Sequence, residues 1–74
     1  MILKPENKCV VILNEKELFE SVDIICVNKE FVEFWGNGFV IYGTDIENVS
    51  KVSYIEYDES GEIPEIAQET IVYN

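Results

Sequence analysis

The chain is a succession of short runs rich in Val, Ile, Phe and Tyr, separated by Asn, Gly, Asp and Ser at intervals of about eight to twelve residues. β-Branched and aromatic residues in short alternating runs fit a pleated surface better than a helix. The pattern therefore predicts an all-β fold: a small antiparallel meander of five to six strands, with one or two short helical turns, curled into an open sheet or a small barrel. Residues 1–74 read as a single small β domain, with no internal repeat or linker.

The first run, Cys9–Leu13, follows Pro5, whose missing N–H suits the start or edge of a strand. Asn14-Glu15-Lys16-Glu17 reads either as a turn or as a single helical turn capped by Asn14. A second strand covers residues 22–27, where Val22, Ile24 and Cys26 alternate with Asp23, Ile25 and Val27, so both faces need cover. Residues 31–35 make a third strand, with Phe31 and Trp35 on one face and Val32 and Phe34 on the other. Gly36-Asn37-Gly38 tolerates the positive φ of tight hairpins, which pairs that strand with residues 39–42. Thr44 and Glu47 have capping-box spacing and predict one turn of helix or 3-10 before a fifth strand at 51–57. Asp58-Glu59-Ser60-Gly61-Glu62 is a turn, with Gly61 in the left-handed position. Beyond it, Pro64 permits a short helix through Glu69, and Thr70–Tyr73 favours a last strand.

Fifteen acidic residues stand against five lysines, with no arginine and no histidine, for a net charge of −10. Binding to a phosphate backbone needs Lys and Arg to displace counterions, so direct nucleic-acid contact is excluded, and anionic membranes are excluded likewise. An apolar fraction of 47% argues against disorder. The longest apolar run, Cys9–Leu13, is far below the roughly 20 residues that span a bilayer, and no basic segment precedes an apolar stretch. The expectation is a soluble, cytoplasmic protein. A chain this short buries only about 60% of its unfolded surface, so association, including a homo-oligomer, would add useful stability.

Without histidine there is no Ser-His or Cys-His pair and no imidazole zinc site; without arginine there is no planar clamp for phosphate or carboxylate. Carboxylate pairs need a closed apolar pocket to shift a pKa, and a chain this small has little volume for one. The expectation is no enzyme, no cofactor and no metal. Residues 58–62 lack the spacing of a calcium loop and read as a solvated turn. Cys9 and Cys26 each lie within apolar segments and read as reduced, buried thiols.

Charge distribution carries what functional signal remains. From Val52 onward the chain has six carboxylates, on Glu56, Asp58, Glu59, Glu62, Glu65 and Glu69, and no base. In an uninterrupted meander alternate connections share an end. Glu15, Glu17 and Glu20 would then join Asp58, Glu59, Glu62 and Glu65 in an acidic rim around the Asn37 hairpin, with Trp35 as its exposed aromatic anchor. Phe19, Phe31, Phe34 and Phe39 are assigned to the core. The reading is a small acidic protein-interaction module, an inhibitor acting as a nucleic-acid mimic on a basic protein surface. The alternative is a structural subunit of a larger assembly, of phage or mobile-element origin, that self-associates through apolar sheet faces.

Overall fold

Eight strands and one 3-10 turn follow one another in the computed structural model, which describes residues 1–74. They are β1 (Ile2–Leu3), β2 (Cys9–Leu13), β3 (Glu17–Val22), β4 (Ile24–Val27), β5 (Phe31–Gly36), β6 (Phe39–Asp45), the turn Ile46–Asn48, β7 (Val52–Glu56) and β8 (Thr70–Tyr73). The fold is all-β and every pairing is antiparallel. The strands divide between two sheets, ordered β1-β4-β5-β6 and β3-β2-β7-β8. The sheets share one core: Cys9, Val11, Leu13, Val22 and Val52 from the second, Ile25, Val27, Val32 and Phe34 from the first, and Val49 between them.

The division into two sheets originates at Ser21. Cys9 pairs with Val22 and Val11 with Phe19, so β3 carries one residue more than β2 over the same span. Ser21 takes φ 57°, and a bulge of this kind bends and twists its strand. The chain leaves the second sheet at Val22 and joins the first at Ile24, while the Asp23 N–H between them donates to the Trp35 carbonyl at 2.8 Å. A strand that changes sheets in this way makes the corner of a sandwich. The corner also resets the alternation: Val22 is buried, but the next buried residues are Ile25 and Val27, so Ile24 and Cys26 face outward. The segment read as a turn and one strand is thus two strands in different sheets.

Aromatic packing closes the sandwich beside this corner. Phe19 of β3 lies 5.2 Å from the Phe34 ring and 4.7 Å from Tyr42, joining the sheets across the core. At the opposite end Asn14 binds the connection before β7: its Oδ1 accepts from the Ser50 N–H at 2.7 Å and its Nδ2 donates to the Asn48 carbonyl at 2.9 Å. The turn at Ile46–Asn48 is 3-10, as its spacing predicted, but Asp45 is the capping position and the Thr44 side chain instead accepts from Asn48 Nδ2 at 3.2 Å. Gly61 adopts φ 85° and β8 forms, whereas residues 65–69 are not helical. Phe39, assigned to the core from its sequence, is 76% exposed on edge strand β6.

Gly36 packs against the corner at Ser21. A Cβ there would stand 2.8 Å from the Ser21 carbonyl oxygen and 2.6 Å from Ile41 Cδ1. A Cβ on Gly43 would meet its nearest atom, Glu33 Cγ, at an ordinary 3.4 Å. Gly36→Ala is expected to cost about 1–3 kcal/mol by overpacking against backbone. Gly43→Ala is expected to stay within about 0.5 kcal/mol of wild type. Urea denaturation of the two variants reads both values.

Candidate functional site

Residues paired across neighbouring strands present their side chains on the same face. Ile2 pairs with Cys26, Cys26 with Glu33, Ile24 with Trp35, and Trp35 with Val40. Their buried neighbours Ile25, Val32 and Phe34 point into the core, so this row lies on the outer face of the first sheet, from edge to edge. An antiparallel sheet packed on one side normally turns polar residues outward. Here Ile2 and Val40 are 66% and 46% exposed, with Ile24, Cys26 and Trp35 half-buried between them.

A groove of about 290 Å³ lies on this face, lined by Ile2, Lys4, Ile24, Cys26, Glu33 and Trp35. The Trp35 indole N–H donates to Glu33 Oε1 at 3.2 Å, which fixes the ring and engages its one polar atom. The remaining lining is apolar apart from the Lys4 and Glu33 charges, so the groove is suited to burying an apolar side chain. The loss of alternation at the corner supplies half of this surface, Ile24 and Cys26, which the sequence pattern left on the same face as the buried Val22. Phe31 and Trp35 do share a face, as their spacing predicted, but it is the outer one, so half-buried Phe31 lies outside the core to which its sequence assigns it.

The acidic residues do not assemble as an uninterrupted meander requires. Leu13 pairs with Val52 at one end of the second sheet and Cys9 with Glu56 at the other, so the 14–16 and 58–62 turns lie at opposite ends. The additional strand β3 is the reason, because it shifts by one the parity of every later connection. Glu15 and Glu17 fall with Glu30, Asp45 and Glu47, at the end where the Ile46 N–H donates to the Glu30 carbonyl at 2.9 Å. Asn37 falls with the start of the 58–62 turn. Its Oδ1 accepts from Lys8 Nζ at 2.6 Å, and the Lys8 carbonyl in turn accepts from the Tyr57 N–H at 2.9 Å. Asp58, Glu59, Glu62 and Glu65 are exposed in this connection, and Glu20 sits within β3 beside the bulge. Trp35 keeps its place beside the Asn37 hairpin.

Several acids have local partners. Asp58 accepts from the Ser60 hydroxyl at 2.6 Å, the Ser60 N–H at 2.9 Å and the Glu62 N–H at 3.1 Å. The Ser60 hydroxyl, followed by backbone donors, holds its carboxyl below the ordinary range. Lys51 Nζ lies 3.4 Å from Glu15 and 3.3 Å from Glu69, joining the 14–16 turn to the chain just before β8. The Ser53 hydroxyl makes no hydrogen bond of good geometry, yet its approach to Glu69, ahead of Lys51, lowers that carboxyl, and Glu69 in turn raises Lys51.

The cysteines are free and separate. Cys9 is buried in the core, where its thiol donates to the Val22 carbonyl at 3.3 Å. Burial, with the charges of Glu56 and Asp23 behind it, pushes that thiol up to about 12. Cys26 is half-buried and faces the groove, contrary to its assignment as a buried thiol. No group of three or more Cys, Asp and Glu side chains is placed to hold a metal ion, and no helix is long and apolar enough to cross a membrane. No protein family model matches the chain, and neither a curated protein nor a solved structure matches it.

Two outcomes follow from these placements. A thiol reagent at mildly alkaline pH is expected to label Cys26 in the folded protein and Cys9 only after unfolding, which mass spectrometry of digested protein would read. Stability should also fall on both pH flanks. The contributions of Asp58 and Glu69, whose carboxyls are lowered, are complete above their ordinary values of 3.8 and 4.5 and are lost as pH falls through the lowered ones. That of Lys51, which is raised, is complete below 10.5 and is lost as pH rises through the raised value. The raised Cys9 thiol acts in the same sense, its contribution being complete below 9.0 and lost as pH rises toward 12. Thermal melts at low salt should show the Lys51→Met variant with a shallower acid decline and with the alkaline decline that Cys9 alone supplies.

Proposed function

We propose that this chain is a small, non-enzymatic protein-interaction module that docks on a basic partner surface. The observation that carries the reading is the outer face of the first sheet, where Ile2, Ile24, Cys26, Trp35 and Val40 form an apolar row that nothing in the chain covers. A buried aromatic anchor surrounded by polar residues is the usual energetic centre of a protein interface. Trp35 is that anchor, and the Asp58, Glu59 and Glu62 carboxylates beyond the Asn37 hairpin supply the field that attracts a basic partner. Inhibition by nucleic-acid mimicry is the case in which that surface is a nucleic-acid-binding groove, and the net charge of −10 supports it.

The same apolar row favours a second reading, a structural subunit whose sheet faces are covered by other copies. Sedimentation separates the two. The module remains small over a wide concentration range, whereas the subunit forms a discrete assembly that tightens with salt.

The direct test is capture of a partner from the native host by the immobilised protein. Trp35→Ala is expected to weaken the complex by about 2 kcal/mol or more, roughly thirtyfold. Rising salt should weaken the wild-type complex steeply. Undiminished capture by Trp35→Ala would remove the groove from the interface. Undiminished capture by the triple variant Asp58→Lys, Glu59→Lys, Glu62→Lys would leave those acids as a solubility device.

A further inference from the structure

The two sheets have four edges, β1, β6, β3 and β8. Natural edges are protected against unwanted pairing by shortness, charge, proline or bulges. β1 is two residues long and is followed by Lys4 and Pro5. β3 carries Glu17 and Glu20 and ends in its bulge, and β8 is four residues long with Glu69 directly before it. β6 differs from all three. It is seven residues long, bears no charge before Asp45, and exposes Phe39, Val40 and Ile41 by 76%, 46% and 43%; only a bulge at Ile41 interrupts it.

We propose that the open edge of β6 is a docking site for an extended basic segment of the partner, which adds to the first sheet as a fifth strand. The inference rests on the interaction-module reading and names how the partner engages it. The backbone geometry requires an extended guest. Because the Ile46 N–H bonds the Glu30 carbonyl, the Phe31–Asp45 and Glu33–Gly43 pairs are of the non-hydrogen-bonded kind. Gly43 and Asp45 therefore turn their N–H and C=O groups to the open side, and Gly43, exposed and without a side chain, lets another backbone approach.

Charge selects the guest. Asp45 ends the strand, Glu47 follows it, Glu33 is paired across from Gly43, and Glu30 bonds the residue after Asp45; Lys29 is the one base in that neighbouring turn. Another copy of the chain would bring its own net charge of −10 to the same edge. A strand of alternating apolar and Lys or Arg residues instead turns its basic residues to the outer face, where Glu33 and Asp45 lie, and its apolar ones to the inner face beside Tyr42.

The test uses the full chain and two capped octapeptides, one alternating Lys with Val and the other Glu with Val, read by residue-resolved amide exchange. The Lys-Val peptide is expected to slow exchange at Gly43 and Asp45 by roughly tenfold or more at low salt. That slowing should disappear at about 0.5 M salt, and the Glu-Val peptide should cause none. Gly43→Pro removes an outward N–H and should abolish the effect; if it also lowers the melting temperature, the double variant Asp45→Lys, Glu47→Lys should reverse the preference between the peptides. No slowing at millimolar Lys-Val peptide would overturn the proposal. Perturbation confined to Trp35 and Ile24 would overturn the edge as the site and leave the interaction-module reading standing. Slowing at Gly43 and Asp45 that grows with protein concentration without peptide would assign the edge to a second copy and overturn the basic guest.

Discussion

The bulge at Ser21 sets both where the two sheets divide and which side chains of β4 face outward. One additional residue in β3, held at positive φ, turns the chain out of one sheet and into the other within the span of Asp23. The corner does two things at once. It places Val22 and Ile25 in a common core although they are three apart, and it turns Ile24 and Cys26 to the outside. The close approach of Gly36 to the Ser21 carbonyl shows how little room the corner leaves. The hydrogen bond from Asp23 to Trp35 and the one from the Asn37 N–H to Asp23 Oδ2, at 3.0 Å, then tie the β5–β6 hairpin to it.

Much of the surface chemistry follows from that corner. A sheet of four strands packed on one side has its other side free, and here the free side carries an indole, a thiol and branched aliphatic side chains. With ten buried hydrophobic residues, the chain has a small core, so the apolar groups left outside are a large share of what could stabilise it through association. The net charge of −10 acts in the opposite sense, since like-charged copies repel one another.

The sequence made some of this legible and concealed the rest for identifiable reasons. Strong alternation located Cys9–Leu13 and the faces of Phe31 to Trp35, and Asn37 with its glycines located the hairpin, because these signals are local. Glu17–Val22 was hidden because its outward residues include Glu17 and Glu20 and its reversal depends on a serine at positive φ, for which there is no compositional marker. Reading residues 14–21 as one connection shifts the parity of every later one, and so places Glu15 and Glu17 with Asn37 and Asp58. Phe39 reads as core because a large apolar residue beside a tight turn looks the same in sequence whether its strand is central or at an edge. The excess of apolar residues on both faces of 22–27 and 31–35 did signal an uncovered surface, although not which sheet would carry it.

Trp35 is the chain's one tryptophan, and its emission reports directly on the face that the corner exposes. Acrylamide quenching at high dilution reads whether that face is open. An open groove predicts that a dilute monomer is quenched readily and that Trp35 becomes shielded when partner is bound. Emission protected from acrylamide in the dilute monomer would mean instead that the chain itself already covers the surface, and that the corner leaves no open face.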